Sequence, residues 1–173
     1  MEGETRRLNI IQMLSNSDRP MSGTELAKTV GLSRQVIVQE IALLRAIDKN
    51  ILSTNKGYVL YNPQTGFSKA KRSFAVYHTD AQIADELYTM VDYGGTVLDV
   101  VVEHDVYGQI TADLLLKKRV DVDEFVRKLH ANQAKPLKEL TGGYHIHTVE
   151  AESEAVLDDV EQALQKKGYL KAL

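Results

Sequence analysis

The sequence predicts an α+β protein of two domains: three helices and a β-hairpin come first, then a β-α-β-β-α-β domain with an extra C-terminal helix. Charge separates the two parts. Residues 1–72 hold 11 basic and 6 acidic residues, whereas residues 73–173 hold 10 basic and 18 acidic residues and all five histidines. The apolar spacing also changes, from helical repeats in the first part to alternating strand and helix patterns in the second. These differences indicate two domains with different partners.

Composition excludes several classes of protein. No apolar run approaches the ~18 residues that a membrane span needs, and the N-terminal residues MEGETRR lack the apolar core of a signal peptide. The chain has no cysteine, which excludes disulfides and thiolate metal ligands. It also has no P-loop, GxGxxG motif or nucleophile elbow. We therefore expect a cytoplasmic protein that is not an enzyme and has no membrane partner.

Three amphipathic helices are predicted in the N-terminal part, at about residues 4–15, 24–30 and 34–48. Ser22 and Glu25 have the spacing of a capping box, in which each side chain bonds the other residue's backbone N–H, so they open the second helix. Gly31 suits the left-handed turn that ends this helix. Ser33 is placed to cap the third helix.

These helices and the segment after them match a winged helix-turn-helix. Ala27 is small enough for two helices to approach closely, Gly31 makes the turn, and branched Ile37 fixes the third helix against the second. Residues 51–62, ILSTNKGYVLYN, read as two short strands around a turn at Asn55-Lys56-Gly57. We therefore predict a winged helix-turn-helix DNA-binding domain over residues 1–62.

The outward face of the third helix favours DNA over a protein partner, which is the alternative for such a small domain. Arg34, Gln35 and Gln39 lie opposite the apolar stripe and can pair with base edges in a major groove. Arg45 and Lys56 can contact phosphates, which position a protein without reading sequence. The predicted DNA-binding residues are Ser33, Arg34, Gln35, Gln39, Arg45 and Lys56.

A linker is predicted over residues 63–72, because Pro63 and Gly66 disfavour a regular element. Three basic residues close this segment: Lys69, Lys71 and Arg72. They either reach DNA phosphates or lie in solvent, and we favour the solvated linker.

The remaining residues, 73–173, are predicted to form a regulatory domain. Its strands are expected at 73–78, 96–103, 109–116 and 144–150. Helices are expected to open at a capping box from Thr79 to Gln82, at Asp121 and at Ser153. The order β-α-β-β-α-β with a terminal helix is that of a ferredoxin-like domain.

This topology would gather three histidines. The fourth strand lies antiparallel beside the first, so His78 at the end of the first strand faces His145 and His147 at the start of the fourth. A spacing of two places both imidazoles of the fourth strand on one face. Glu86, in the helix after His78, can return its carboxylate over the same end of the sheet. Three imidazoles and a carboxylate suit zinc or nickel, and the alternative is a pair of polar residues on the outside of a sheet.

Two histidines lie apart from this group. His104 follows an apolar strand and precedes Tyr107, and it either lines a ligand pocket or holds the turn by a hydrogen bond. We favour the pocket. His130 lies near the end of a helix, where a positive charge is favourable, and no function is assigned to it.

Several stretches carry a resemblance to a known family. Residues 77–94 with Tyr77-His78 and Glu86-Leu87, residues 103–108 (EHDVYG), and residues 136–148 ending in TGGYHIHT resemble the three-histidine domain. The preceding winged helix resembles the DNA-binding module usually fused to that domain. Together they are similar, over nearly the whole chain, to the niacin-responsive transcriptional repressors of Gram-positive and related bacteria.

The resemblance implies a repressor of NAD biosynthesis or niacin uptake genes that binds operator DNA as a homodimer, with nicotinic acid as co-repressor. It also implies one divalent transition metal ion per chain, nickel or zinc, held by residues matching His78, Glu86, His145 and His147. Nicotinic acid is then expected beside the ion, near His104 and Tyr107. The alternative function is a regulator whose signal is the metal ion itself, and a metal-dependent hydrolase is a weaker third.

Overall fold

The computed structural model describes residues 3–47, 50–61 and 69–171. The chain divides into two compact units, Met1–Thr65 and Gly66–Leu173, which are considered one at a time. The end of the predicted first domain at residue 62, and linker residues 63–68, lie outside the described residues. Within the described ranges no helix is long and apolar enough to cross a membrane. The α+β class, a helical N-terminal unit followed by a sheet domain, is confirmed.

The N-terminal unit contains three helices and an antiparallel pair of strands. Their bounds are α1 Gly3–Ser15, α2 Gly23–Val30, α3 Arg34–Ile47, β1 Ile51–Thr54 and β2 Gly57–Leu60. The helices begin and end within one residue of the predicted positions. Their buried side chains form one core, which consists of Ile10, Leu14, Leu26, Ala27, Ile37, Ile41, Leu44 and Ile51.

The predicted caps are present. The Ser22 hydroxyl accepts the Glu25 N–H at 3.1 Å, and the Glu25 carboxylate accepts the Ser22 N–H at 3.4 Å. Gly31 ends α2 in the left-handed conformation, with φ 76°. The Ser33 hydroxyl accepts the Val36 N–H at 3.3 Å at the start of α3. Local sequence therefore sets where α2 and α3 begin, and with them the angle between the two helices.

The C-terminal unit is a four-stranded sheet with helices. Its elements are β3 Ala70–Tyr77, α4 Ile83–Asp92, β4 Thr96–His104, β5 Gly108–Leu116, α5 Arg119–Ala131, β6 Tyr144–Ala151 and α6 Glu154–Lys166, with 3₁₀ turns at Asp80–Gln82 and Leu137–Thr141. The strand order is β3-β6-β4-β5, and all neighbours are antiparallel. Helices α4, α5 and α6 pack with the sheet around one apolar core.

The strand order differs in one respect from the ferredoxin-like expectation. In a ferredoxin-like sheet the first strand lies inside, between the fourth and the third, whereas here the fourth strand, β6, lies inside between β3 and β4. Each β-α-β unit is still split by one inserted strand: β6 separates β3 from β4, and β4 separates β5 from β6. The pairing of first and fourth strands, on which the histidine prediction depended, is retained.

Strand β3 begins at Ala70, so residues 70–72 of the predicted linker belong to the sheet domain. Arg72 bonds three carboxylates of α6, with distances of 2.7 Å to Glu161, 2.8 Å to Glu154 and 2.9 Å to Asp158. The basic residues Lys69 and Lys71 lie 3.9 and 3.6 Å from the Glu150 carboxylate. Residues 70–72 therefore belong to a strand and not to an irregular linker, whereas Lys69 precedes that strand and, like Lys71, is exposed to solvent.

Helix α5 begins two residues before the predicted start. Its first residue is Arg119, and Asp121 lies inside the first turn. The Asp121 carboxylate instead reaches back to accept the N–H groups of Lys117 and Lys118 at 2.9 and 3.0 Å. Asp121 therefore lies at the start of the helix as predicted, but as the third residue of its first turn. Its carboxylate accepts the backbone N–H of the N-cap residue Lys118.

Gly95, the residue before β4, has no room for a side chain. A Cβ there would lie 2.7 Å from Val149 Cγ1 and 2.9 Å from the Met90 carbonyl oxygen. Forcing an atom into a packed core costs about 1–3 kcal/mol, so Gly95→Ala should lower the thermal unfolding temperature by several degrees. The control is Gly108→Asn, because Gly108 has φ 72° with nothing within 4 Å and asparagine tolerates that backbone. Equal unfolding temperatures for the two variants would contradict the expected clash.

Candidate metal centre

Pairing of β3 with β6 brings the predicted ligands together. His145 and His147 lie opposite Val76 and Phe74 and share the helix-facing side of the sheet, while His78 immediately follows β3. Glu86, in the first turn of α4, completes the group. All four side chains are buried, and Glu86 is only 1% exposed. Four polar groups removed from water at one point of a domain require partners.

Backbone carbonyls hold the three imidazoles in one tautomer. The Nδ1 atom of His78 donates to the Thr79 carbonyl at 2.8 Å, and that of His145 donates to the Gly143 carbonyl at 2.9 Å. The Nδ1 atom of His147 donates to the Asp99 carbonyl at 2.6 Å. Since a carbonyl can only accept, each Nδ1 carries a proton, and in a neutral ring the lone pair is then on Nε2. This is the arrangement in which histidine binds a metal ion through Nε2.

The free Nε2 atoms converge on Glu86. Its two carboxylate oxygens lie 3.4 Å from His78 Nε2 and 3.4 Å from His147 Nε2. Ligand atoms of His78, Glu86 and His145 lie within 4.8 Å of one another. The imidazole of His145 stands edge-on to both His78 and His147, with ring centroids 4.9 Å apart in each pair.

Several buried polar atoms of the cluster have no hydrogen-bond partner in the part of the chain that the structure describes. Among the described residues, His78 Nε2 and both carboxylate oxygens of Glu86 are buried without a hydrogen-bond partner. Leaving such atoms unpaired in a dry interior costs free energy, and a native structure seldom does so without a functional reason. A divalent ion accepts lone pairs from all of them at once, and nitrogen with carboxylate oxygen is a donor set that zinc and nickel accept. The residues therefore fit such an ion.

Charge is distributed unevenly within the cluster. Burial opposes ionisation of Glu86, but charged His147 outweighs that penalty and holds the pKa of Glu86 below its ordinary value. Burial would lower the pKa of His147, but the Glu86 carboxylate raises it. Burial, with the charge of His147, lowers the pKa of His145 to about 4. These directions favour the ionised form of Glu86 and the neutral form of His145.

Asp99 supports the cluster and was not predicted. Its carbonyl fixes His147, and its carboxylate accepts the Thr148 N–H at 2.9 Å. The pairing of β4 with β6 shifts register between Val97 and Val101, which brings Asp99 to this position. Nothing in the spacing of the apolar residues marks that irregularity.

A cavity of about 170 Å³ adjoins the cluster. The four candidate ligands form one part of its lining. Its apolar part comes from α4, β4, β5, α5 and the segment before β6, including Leu87, Val100, Leu114, Phe125 and Pro136. Lys138 also lines it. The cavity joins a site for a cation to an apolar chamber, and neither Phe125 nor Lys138 was predicted to line a ligand site.

His104 and Tyr107 lie elsewhere. The Nδ1 atom of His104 accepts the N–H groups of Val106 and Tyr107 at 3.2 and 3.3 Å, so His104 holds the turn between β4 and β5. Tyr107 is 78% exposed. Neither residue lines the cavity beside the cluster. A contact from them to a ligand remains a prediction.

The predicted DNA-binding residues belong to α3, to its N-terminal cap and to the hairpin turn. Arg34, Gln35, Gln39 and Arg45 are exposed along α3, while Lys56 is half-buried in the turn between β1 and β2. The opposite side of α3 is anchored to α1, because the buried Glu40 carboxylate bonds Arg6 at 2.6 Å and Arg7 at 3.1 Å. This anchoring fixes which face of α3 is available. Contact of that face with DNA remains a prediction.

The comparison with known proteins agrees with this division. An HTH domain matches residues 6–59, and the 3H domain matches residues 71–172. The probable transcription repressor NiaR of Thermotoga maritima is 40% identical over 167 residues, covering 96% of this chain and 94% of that protein. The transcription repressor NadR of Bacillus subtilis is 40% identical over 169 residues, covering 97% and 94%. The chain therefore belongs to the family of transcription repressors that join an HTH domain to a 3H domain, and it is not an enzyme.

Proposed function

We propose that this repressor controls genes of NAD biosynthesis or niacin uptake, binding operator DNA as a cytoplasmic homodimer with nicotinic acid as co-repressor. The family resemblance and relatives named NiaR and NadR support the choice of genes. One observation carries the sensing role. The Nε2 atoms of His78 and His147 lie 3.4 Å from the buried Glu86 carboxylate, and a ligand atom of His145 lies within 4.8 Å of it, beside an apolar cavity that is open to a small ligand.

One nickel or zinc ion per chain would be held by His78, Glu86, His145 and His147. An ion there would supply positive charge next to the cavity, which favours an anionic ligand. The surrounding chain contributes orientation, since three carbonyl groups fix the imidazoles and β6 carries two of them on rigid backbone.

The cavity suits a ligand with one ring. An engineered apolar cavity of about 150 Å³ accepts benzene, and the cavity here measures about 170 Å³. Phe125 and Leu129 offer the apolar surface that a pyridine ring requires. His104 and Tyr107 would contact nicotinic acid only from outside this cavity, which a Tyr107→Ala variant tests in the titration below.

Nicotinic acid would act through the dimer. Repressors with a helix-turn-helix place two recognition helices in successive major grooves of a pseudo-palindromic operator. The ligand must bind the DNA-competent dimer geometry more tightly than the other geometry, because equal affinity would shift nothing. Binding in the sheet domain would in this way set the spacing of the two α3 helices.

Calorimetric titration of nicotinic acid into the nickel- or zinc-loaded chain tests this proposal. We expect saturable heat with one ligand per chain, and an affinity loss of about tenfold or more in His145→Ala/His147→Ala, since removing even a residue that only supports metal ligands typically costs 10–100-fold. His130→Ala is the matched control, because His130 is exposed on α5 and lies outside the cluster.

Absence of heat with the metal-loaded wild-type chain would overturn nicotinic acid as the effector. The alternative function, a regulator in which the metal ion is itself the signal, then makes a separate prediction. Operator affinity would change on addition of zinc or nickel alone, and nicotinic acid would add no further change.

A further inference from the structure

Lys138 occupies an unusual position beside the candidate metal centre. It lies in the 3₁₀ turn Leu137–Thr141 and is only 6% exposed. Lysine is almost never fully buried unless its ammonium has partners. Among the described residues that line the cavity, it is the one side chain other than histidine that carries positive charge. The apolar chamber therefore has a fixed cation in its wall.

Two contacts hold the ammonium. Lys138 Nζ lies 2.5 Å from Asp80 Oδ1 and donates to the His78 carbonyl at 3.2 Å. These use two of the three N–H donors of an ammonium. The Asp80 side chain is 57% exposed, so it meets Lys138 from the solvent side and can leave at little cost. The contact to the His78 backbone places Lys138 against one of the candidate metal ligands.

An anchoring role alone explains this arrangement poorly. A lysine that only held the 3₁₀ turn against His78 would carry the desolvation penalty of a buried ammonium, which an apolar side chain of similar volume avoids. A cation lining a cavity does have a use when the ligand is an anion, because a carboxylate and an ammonium form a charge-assisted hydrogen bond of about twice the ordinary strength. One N–H donor of the ammonium remains for such a bond.

We propose that Lys138 binds the carboxylate of a single-ring aromatic acid in this cavity and thereby distinguishes the acid from its neutral amide. The identity of the acid, nicotinic acid, rests on the proposed function. The recognition of a carboxylate by Lys138 does not. An amide cannot supply the negative charge, and only its carbonyl oxygen, not its NH2 group, can accept a hydrogen bond from Lys138. We expect the acid to bind about 10- to 100-fold more tightly than the amide, as for a hydrogen bond to a charged group.

The test measures nicotinic acid, nicotinamide and benzoic acid by calorimetry on the metal-loaded full chain and on two variants. Lys138→Met should lose about 10- to 100-fold affinity for both acids and keep its affinity for the amide. Asp80→Asn removes the ion pair but leaves the ammonium, so it should keep the preference for acids. If Lys138 only anchored the turn, Asp80→Asn would instead weaken acid and amide alike, as Lys138→Met would.

Metal content and unfolding temperature show whether Lys138→Met is folded, and Lys138→Gln gives the same comparison if it is not. Unchanged acid affinity in the lysine variant overturns the inference, while the proposed function stands if nicotinic acid still binds. Binding of benzoic acid but not nicotinic acid, with loss in the lysine variant, supports the inference and overturns the proposed function. If the wild-type chain binds neither acid, both fail.

Discussion

Replacing Glu86 by glutamine is expected to abolish stoichiometric binding of zinc and nickel. Both carboxylate oxygens lie 3.4 Å from a histidine Nε2, and glutamine keeps the shape of the side chain while removing its charge. The new amide NH2 can donate a hydrogen bond to one of these nitrogens, which would occupy its lone pair, and the amide oxygen carries no full charge for an ion. Loss of a residue that only supports metal ligands typically costs 10–100-fold in affinity, so loss of Glu86 should cost more than about 100-fold.

Two measurements check this expectation. Competition with a chelator gives the metal affinity, and thermal unfolding with and without zinc gives the stabilisation that binding confers on the folded chain. In the wild-type chain the unfolding temperature should rise with zinc concentration, whereas in Glu86→Gln it should not. Glu103→Gln is the matched control, because Glu103 is an exposed carboxylate on β4. If Glu86→Gln binds metal as the wild type does, three histidines suffice and Glu86 is not a ligand.

The parts of the fold that were predictable from sequence are those set by nearest neighbours along the chain. Ser22, Glu25 and Gly31 start and end α2 through bonds that span three or four residues. The prediction that His145 and His147 lie on one face of β6 required only that side chains alternate along a strand. Bringing His78 to them required one long-range assumption, the pairing of first and fourth strands, and that pairing is present.

What sequence could not reveal depends on irregular or distant geometry. Asp99 reaches His147 only because β4 shifts register against β6, and a shift leaves no mark on an apolar pattern. Lys138 enters the cavity because a 3₁₀ turn places it against the His78 carbonyl, sixty positions away in sequence. Arg72 belongs to a strand whose partners in α6 are more than eighty residues distant. In each case the local residues fit a loop as well as they fit the observed contact.

The same distinction explains the ligand prediction. His104 precedes a tight turn and its imidazole satisfies two N–H groups of that turn, which is a local role. The cavity beside the metal centre is instead assembled from α4, β4, β5, α5, β6 and the segment before β6. A pocket built from this many elements is not visible as a motif, whereas a histidine near a tyrosine in sequence is. A short motif such as the one around His104 can therefore belong to a turn, while the binding surface is formed by residues of several helices and strands.

Removing both Gln35 and Gln39 is expected to weaken operator binding more than any single exposed substitution outside α3. Both amides lie exposed on α3, whose opposite face is fixed by the Glu40 ion pairs. A well-placed amide that reads an adenine contributes about 1–3 kcal/mol of discrimination. Gln35→Ala/Gln39→Ala should therefore lose at least about tenfold in affinity for the operator and little for unrelated DNA.

The measurement uses an operator selected from random DNA with the wild-type chain, followed by fluorescence anisotropy in the presence of metal and nicotinic acid. Gln12→Ala, an equivalent change on the exposed face of α1, is the control and should leave affinity unchanged. Arg45→Ala should behave differently from both, weakening all DNA about equally and reducing the salt dependence, since phosphate contacts carry no sequence information. Operator affinity that survives the double glutamine change would show that α3 does not read bases. Base contacts would then have to come from the hairpin turn at Lys56.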